Sequence, residues 1–363
     1  MTEALKNLYT RSLIDDLCLS IASRYKAFDG QSFSRRVFDR DWDDRELKQR
    51  MRHITSCLNS HLPADYKKTI GILKPVSAKY QGFEYMFFQD YVECYGLDDF
   101  EASIDAMEHF TKFASAEFAV RAFILQDQAR MMEQMNAWAL SDNHHVRRLA
   151  SEGCRPRLPW AISLPTFKKQ PKPVLRVIKK LMFDDSEYVR RSVANNLNDI
   201  SKDNPLLVID WAKRYLGKDR NTDRLIKHAC RSLLKQGDQT TLSLFGFTDP
   251  SHLHISQFTL DSHVRFGSRL PFTFSLSCKN NSAPGIGMCR LEFAIDFVKA
   301  NGSLSRKVFK ISEGDYAATE KQVSRYFSFK AISTRKYYAG RHQLNIIING
   351  VVMAMKTFEL TNQ

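Results

Sequence analysis

The chain has 363 residues, 43% of them apolar and 26% charged, and 54 Lys and Arg against 40 Asp and Glu give a formal charge of +14. This length suits two domains of ordinary size, and no stretch approaches the ~20 apolar residues that would span a bilayer. A charge this positive favours a polyanionic partner, with nucleic acid the usual one, although basicity can also serve solubility alone. Met1-Thr-Glu-Ala-Leu-Lys6 carries an acid and leads into an amphipathic pattern, unlike the basic start and apolar run of a secretory signal. Leu5, Leu8, Tyr9, Leu13, Leu17, Leu19 and Ile21 then recur at near-helical spacing. The polar stretch from Asp29 to Arg45 predicts a loop or a pair of short helices. Helical pattern resumes over Arg45–Leu58, Pro63–Ile72, Gly82–Tyr95 and Leu97–Lys112.

From Lys112 onward the segments look alike. Ser115-Ala-Glu-Phe-Ala-Val-Arg121, Asp142-Asn-His-His-Val-Arg-Arg148, Asp185-Ser-Glu-Tyr-Val-Arg-Arg191 and Asn221-Thr-Asp-Arg-Leu-Ile226 each join a polar helix start to an apolar-basic turn. Arg121, Arg148 and Arg191 fall at matching places. Two-helix units repeating at roughly 40 residues predict a HEAT-like solenoid, with ordinary helical hairpins as the plainer alternative. Between the second and third copies lie Pro156, Pro159, Pro165, Pro171 and Pro173, which cannot share one helix. An irregular, basic connection carrying Trp160 is expected there.

The pattern changes near Gly246, and Phe247-Thr-Asp-Pro-Ser251 has the composition of a linker. Beyond it the apolar period falls to two in Phe272–Cys278, Leu291–Phe297, Val308–Ile311, Tyr326–Lys330 and Gln343–Asn349. Asn280-Asn-Ser, Ala300-Asn-Gly-Ser303, Gly314-Asp and Asn349-Gly350 supply expected turns. About seven short strands predict an antiparallel sandwich of immunoglobulin type. The fold is thus expected to be mainly α: a HEAT-like solenoid over 1–246, followed by a small all-β immunoglobulin-like sandwich over 252–363. Residues 251–363 hold 15 Lys and Arg against 7 Asp and Glu, so the smaller part carries more than half of the excess charge. Seven cysteines without a CxxC pair offer no zinc knuckle and fit a reducing cytoplasm.

Val146-Arg-Arg-Leu-Ala-Ser-Glu-Gly-Cys-Arg-Pro-Arg-Leu-Pro-Trp-Ala161 holds the densest chemistry. Arg148 and Glu152 are four apart, so they share a helix face. Gly153 is expected to end or bend that helix, and Arg155, Arg157 and Trp160 follow on the irregular turn. In the next copy Arg191, Asn195 and Asp199 form one polar stripe, opposite Val189, Val193 and Leu197. Glu117 opens the comparable helix of the first copy. Stacked repeats would lay these stripes on one basic surface with embedded acids. Positive charge binds phosphate, whereas embedded acids repel DNA and call for a reason. A base alkylated at a ring nitrogen is cationic, and cleavage of its glycosidic bond passes through an oxocarbenium-like state. A carboxylate would stabilise both and place a water. Each residue also has a plainer role open to it: Arg148–Glu152 as a surface ion pair, Asn195 and Asp199 as a ladder between repeats, Trp160 as a core aromatic, Glu117 as an acid complementing a helix dipole.

Ala150-Ser-Glu-Gly-Cys-Arg-Pro-Arg-Leu-Pro-Trp-Ala161, together with the run 190–199, resembles the signature of AlkC-type DNA alkylation repair glycosylases. The helical two thirds is similar to that family's HEAT-like body, and the β part to the immunoglobulin-like extension of one branch. The resemblance implies a monofunctional DNA glycosylase that removes N3-alkylated adenine and cytosine from double-stranded DNA without flipping the base. It implies Glu152 as the carboxylate closest to the lesion, with Glu117 and Asp199 supporting it. Arg148, Arg155, Arg157 and Arg191 would hold phosphates, and Trp160 would pack against the exposed nucleotide. Arg335, Lys336 and Arg341 are the candidates on the β domain. No metal or organic cofactor and no membrane partner are implied, and a monomer in a bacterial-type cytoplasm, at the nucleoid through its DNA, is expected. Two rivals remain open: a non-catalytic HEAT-repeat scaffold and a protein that binds damage without cleaving it. A metal-dependent nuclease would need a denser Asp/Glu/His cluster than the sequence offers.

Overall fold

Short polar residues start the helices. Thr10, Asp29, Asp65, Asp99, Asp127, Asn143 and Asp238 each precede a helix and accept a hydrogen bond from a backbone N–H of its first turn. The computed structural model describes residues 5–280, 284–332 and 335–362. The acidic start at residues 1–4 and the Asn281-Ser282 part of one expected turn lie outside the described residues.

Sixteen α-helices and eight strands follow in order among the described residues. The helices are α1 (Arg11–Ala22), α2 (Gly30–Val37), α3 (Leu47–His61), α4 (Tyr66–Ser77), α5 (Phe87–Tyr95), α6 (Phe100–Phe110), α7 (Val120–Gln126), α8 (Gln128–Trp138), α9 (His144–Gly153), α10 (Pro165–Lys169), α11 (Lys172–Leu181), α12 (Glu187–Ile200), α13 (Pro205–Tyr215), α14 (Arg220–Ala229), α15 (Arg231–Gln236) and α16 (Gln239–Leu244). The strands are β1 (Leu253–Leu260), β2 (His263–Arg265), β3 (Arg269–Cys278), β4 (Gly287–Val298), β5 (Leu304–Tyr316), β6 (Glu320–Ser328), β7 (Gly340–Ile348) and β8 (Val351–Thr361). The polar stretch 29–45 resolves into one short helix, α2, and turns. No helix among the described residues is long and apolar enough to cross a membrane.

Two compact units divide the chain. The helical unit runs to Asn204 and includes Leu216–Ala229. Its core takes one stripe from each helix, such as Val146, Leu149 and Ala150 of α9 and Val189, Val193, Leu197 and Ile200 of α12, all buried.

The second unit joins Pro205–Tyr215 and the chain from Cys230 onward. Helices α13, α15 and α16 therefore group with the strands. Within this unit the β7–β8 turn sits close to Gly237 and Leu242, and Asn349 Nδ2 donates to the Thr248 carbonyl at 2.8 Å. The strands form a three-stranded sheet, β1-β3-β6, and a five-stranded sheet, β2-β8-β7-β4-β5. All pairings are antiparallel except β2 with β8. Alternate residues build the core between the sheets: Leu270, Phe272, Phe274 and Leu276 from β3; Leu291, Phe293, Ile295 and Phe297 from β4; Leu344, Ile346 and Ile348 from β7. Asn349 and Gly350 turn the chain with φ of 46° and 80°, as a two-residue hairpin loop requires. Gly314-Asp315 is not a turn: it lies inside β5, where Gly314 pairs with Cys289.

Candidate nucleic-acid interface and carboxylate site

Three helices of the helical unit run side by side in the same direction. Arg148 stacks on the Tyr188 ring at 5.0 Å. Ser192 Oγ accepts from Ser151 Oγ at 2.9 Å, and Asn196 Nδ2 donates to the Ser151 carbonyl at 2.7 Å and lies 3.6 Å from Cys154 Sγ. Contacts thus advance together along α9 and α12, which makes them parallel. The next pair advances likewise, since Asp219, just ahead of α14, has its pKa lowered chiefly by hydrogen bonds from Thr222 and in smaller part by the charge of Arg190, early in α12, while later residues of the two helices meet in turn. His228 Nε2 lies 3.0 Å from Asn195 Oδ1.

Across this surface runs an alternating line of acids and guanidiniums. Glu117 accepts from Ser115 Oγ at 2.8 Å and from Arg148 Nη1. Arg148 Nη2 stands 3.4 Å from Glu152 Oε1, the i,i+4 pair expected from the spacing. Arg155 Nη1 donates to the same oxygen at 2.6 Å, and its Nε donates to Asp199 Oδ2 at 2.9 Å. Lys202 Nζ closes the line, 3.3 Å from Asp199 Oδ1. Ser192 Oγ donates to Glu152 Oε2 at 2.6 Å. The three acids of the sequence analysis are therefore one connected system. Burial opposes charge on Arg148, but Glu152 and Glu117 outweigh it and hold its pKa above the ordinary arginine value. Arg155 behaves the same way between Glu152 and Asp199.

Access separates the acids. The Glu117 side chain is 16% exposed, against 5% for Glu152 and 2% for Asp199. Both oxygens of Glu152 are engaged, by guanidiniums on one side and Ser192 on the other. Glu117 Oε1, in contrast, makes no hydrogen bond among the described residues. An open groove lined by Arg148, Glu152, Glu187, Tyr188, Arg191, Ser192 and Asn195 lies over the line.

The expected DNA-contacting residues fall into distinct situations. Arg148 is half-buried, Arg155 is buried, and both are committed to carboxylates. Arg157 is exposed and pairs in bidentate fashion with Asp203, at 3.0 and 2.6 Å. Arg191 is exposed and makes no ion pair among the described residues. Trp160 is 62% exposed and not in the core. Its φ of 63° is a strained conformation for a bulky residue, so the surroundings must hold it. Lys48 Nζ donates to its carbonyl at 2.9 Å and Phe83 meets its ring edge-on. The buried Arg121 ties down the rest of the connection, donating to the carbonyls of Gly153, Arg155 and Ile162 at 3.0, 2.8 and 2.5 Å. Burial pushes its pKa down to about 10. On the sandwich, Arg335 stacks over Phe297 at 4.5 Å, Lys336 lies over Tyr338 at 5.6 Å, and the exposed Arg341 lies 3.4 Å from Thr357 Oγ1. Among the described residues no group of three or more His, Cys, Asp or Glu side chains is assembled to hold a metal.

Tyr188, Ser192 and Arg121 were missed as site residues. Tyr188 and Ser192 lie on the α12 turn that faces α9, a relation visible only after the two copies are aligned. Arg121 carried the same repeat signal as Arg148 and Arg191, yet it serves the backbone.

Residues 90–233 match the family model described as DNA alkylation repair enzyme. Residues 254–362 match the model described as uncharacterised protein YhaZ, C-terminal Ig-like domain. The chain is 43% identical over 358 residues to the uncharacterized protein YhaZ of Bacillus subtilis (strain 168), covering 98% of this chain and 99% of that one. It is 34% identical to the Pseudomonas fluorescens alkylpurine DNA glycosylase AlkC, whose structure was solved bound to DNA containing an abasic site analog. That alignment covers 99% of this chain and 100% of the other, with a TM-score of 0.93. The chain belongs to the DNA alkylation repair enzyme family, in the AlkC-type form that carries an Ig-like C-terminal domain.

Proposed function

We propose that this protein is a DNA glycosylase that hydrolyses the N-glycosidic bond of N3-alkylated bases, 3-methyladenine and 3-methylcytosine, in double-stranded DNA. It would act as a monomer in base excision repair, in the bacterial cytoplasm at the nucleoid. Residues 1–246 would form a HEAT-like body that binds DNA and carries the chemistry, with 252–363 as an auxiliary basic surface. The observation that carries this is the line Glu117–Arg148–Glu152–Arg155–Asp199 beside an open groove. Plain DNA binding has no use for three acids there.

The chemistry needs little from the protein. The alkylated base is cationic and departs neutral, taking the bonding electrons of the C1′–N bond. Positive charge then develops on the sugar, and a carboxylate near it stabilises that state. Water adds its oxygen to C1′ and releases a proton to the carboxylate or to solvent. Glu117, with its free Oε1, is best placed to face the sugar and the water. Glu152 and Asp199 then act through Arg148 and Arg155, which hold the line rigid. This reverses the order implied by resemblance, in which Glu152 stands closest. Because the groove over the line is open rather than an enclosed cavity, the lesion would be processed without flipping. Arg157 and Arg191 would meet phosphates, Trp160 would pack on the exposed nucleotide, and Arg335, Lys336 and Arg341 would add contacts from the sandwich.

A damage-binding protein without cleavage is the second reading, favoured by the pairing of every acid with a cation. One experiment separates the two: release of free base from DNA methylated on ring nitrogens, with wild type and Glu117→Gln side by side. Release by wild type alone supports the glycosylase. Tight binding of the lesion without release by folded wild type sinks it and leaves damage binding.

A further inference from the structure

The groove between α12 and α14 has no part in the carboxylate line. It is lined by Glu187, Arg190, Arg191 and Ala194 from one helix and Asn221, Arg224, Leu225 and His228 from the other. Ala194 and Leu225 are buried and make an apolar floor. Arg224, like Arg191, is exposed and makes no ion pair among the described residues. Arg190 has its Nη1 committed to the carbonyls of Asp184 and Asp185, at 2.6 and 2.8 Å. The cations come in register: Arg191 precedes Asn195 by four residues, and Arg224 precedes His228 by four. One acid, Glu187, also lines the groove.

We propose that this groove seats one backbone phosphate of the bound DNA, held between the guanidiniums of Arg191 and Arg224 with the Asn221 amide beside them. The proposal rests on the DNA reading above and extends it to the adjoining groove, which shares Arg191 and Glu187 with the carboxylate groove. Two free guanidiniums lining one groove suit a phosphodiester, because each offers a fork of donors to its two unesterified oxygens. The apolar floor lowers the local dielectric and strengthens the attraction. Packed helices lie about 8–10 Å apart, and one strand places a charge every ~3.4 Å of helix rise. A strand crossing the parallel helices therefore meets this groove about two to three nucleotides beyond the carboxylate groove. The repeat thus sets the spacing between chemistry and anchor.

The test is the salt dependence of binding, read by fluorescence anisotropy, of the full chain to a duplex with one tetrahydrofuran abasic site. Wild type, Arg224→Gln and Arg224→Lys are compared, with circular dichroism to show that each is folded. Loss of one phosphate contact makes the plot of log K against log salt shallower by about one, and weakens binding about tenfold at 0.1 M salt. Arg224→Gln is expected to show both changes, and Arg224→Lys to restore the slope. A folded Arg224→Gln protein with the wild-type slope and affinity overturns the phosphate seat while leaving the DNA reading intact. Wild type without salt-dependent binding overturns both.

Discussion

Each unit of this protein buries guanidiniums against carboxylates, and only one of the two clusters qualifies as a functional site. In the sandwich, Arg290 donates to Glu292 and Glu313 at 2.6 Å each, and Arg290 and Glu292 are 4% and 1% exposed. Arg290 and Glu313 are direct partners across β4 and β5, so the cluster is a cross-strand pair sealed under its neighbours. Burial pushes the Glu292 carboxyl above its ordinary value, opposed by Arg290. In the helical unit the charges are as well paired, but the line borders an open groove at Arg148 and Glu152, ends at a half-free carboxylate, Glu117, and lies near a free cation, Arg191. Burial and pairing are thus shared by structure and function. Access and an unspent hydrogen-bonding capacity separate them.

The largest expected effect tests what the clusters share. Arg155→Ala strips the common partner from Glu152 and Asp199 and leaves two buried acids under-compensated. A loss of roughly 3–5 kcal/mol in urea unfolding is expected, and Arg290→Ala should cost a similar amount. The two variants should then part: folded Arg290→Ala retains base release per molecule and Arg155→Ala does not. Equal retention in both would show the helical line to be structural only.

Somewhat smaller in free energy, but specific to one unit, is the response to charge removal without loss of shape. Glu117→Gln is expected to lower single-turnover base release by about 10²–10³-fold, the usual cost of losing one aimed electrostatic group, with a smaller drop in urea midpoint than Glu152→Gln, because Glu152 still neutralises Arg148. Glu152→Gln should lose both rate and stability, because its charge is spent on Arg148 and Arg155. Glu292→Gln should leave the rate alone. If Glu152→Gln lowers the rate while Glu117→Gln does not, the order of the two acids is reversed.

A third prediction concerns the packing that sets the line in place. Gly153 does not end α9 through a left-handed turn. Its bareness lets α9 approach Val120 of α7, where an added Cβ would collide with Cγ2. Gly153→Ala should therefore cost about 1–3 kcal/mol as overpacking, and Val120→Ala should recover part of it. No loss in Gly153→Ala would mean that the two helices slide apart freely.

Much of this was legible in the sequence because periodicity reports which face is buried. The change from a period near 3.6 to a period of two at Gly246 marked the passage from helix to strand, and Val189, Val193 and Leu197 were placed inward correctly. What periodicity cannot show is who lies opposite. Arg155 read as a free basic residue after a helix end, yet Asp199, 44 residues later, takes its Nε. Arg121, Arg148 and Arg191 shared a sequence position and have three different fates: backbone clamp, acid bridge and free cation. In the sandwich, β1, β2 and β8 were not read, because Val351-Val-Met-Ala-Met355 has weak alternation and an exposed Met355. Gly314-Asp315 looked like a turn because glycine and aspartate usually make one, while the register with Cys289 carried the strand through it.

The smallest expected effect isolates a neutral buried group in the sandwich, the counterpart to its sealed ion pair. His342 is 1% exposed and stacks on Phe358 at 5.3 Å. The Val298 N–H points at Nδ1 from 3.3 Å, and Nε2 lies 3.0 Å from the Tyr338 carbonyl. One nitrogen therefore accepts and the other donates, which only the neutral ring can do. Burial holds its pKa below the ordinary histidine value. The sign follows: the unfolded chain takes up this proton first, so the stability His342 contributes is present above pH ~6.5 and is lost as pH falls toward the folded pKa. Proton NMR of the His342 Cε1–H should show a titration midpoint below that of a free histidine. His342→Gln should flatten the part of the unfolding midpoint that falls between pH 7 and 5, a range in which unpaired carboxylates hardly titrate. A His342 resonance titrating at or above the free value would mean that the ring carries charge in the folded core, and that the sandwich tolerates a buried cation without the carboxylates that Arg290 requires.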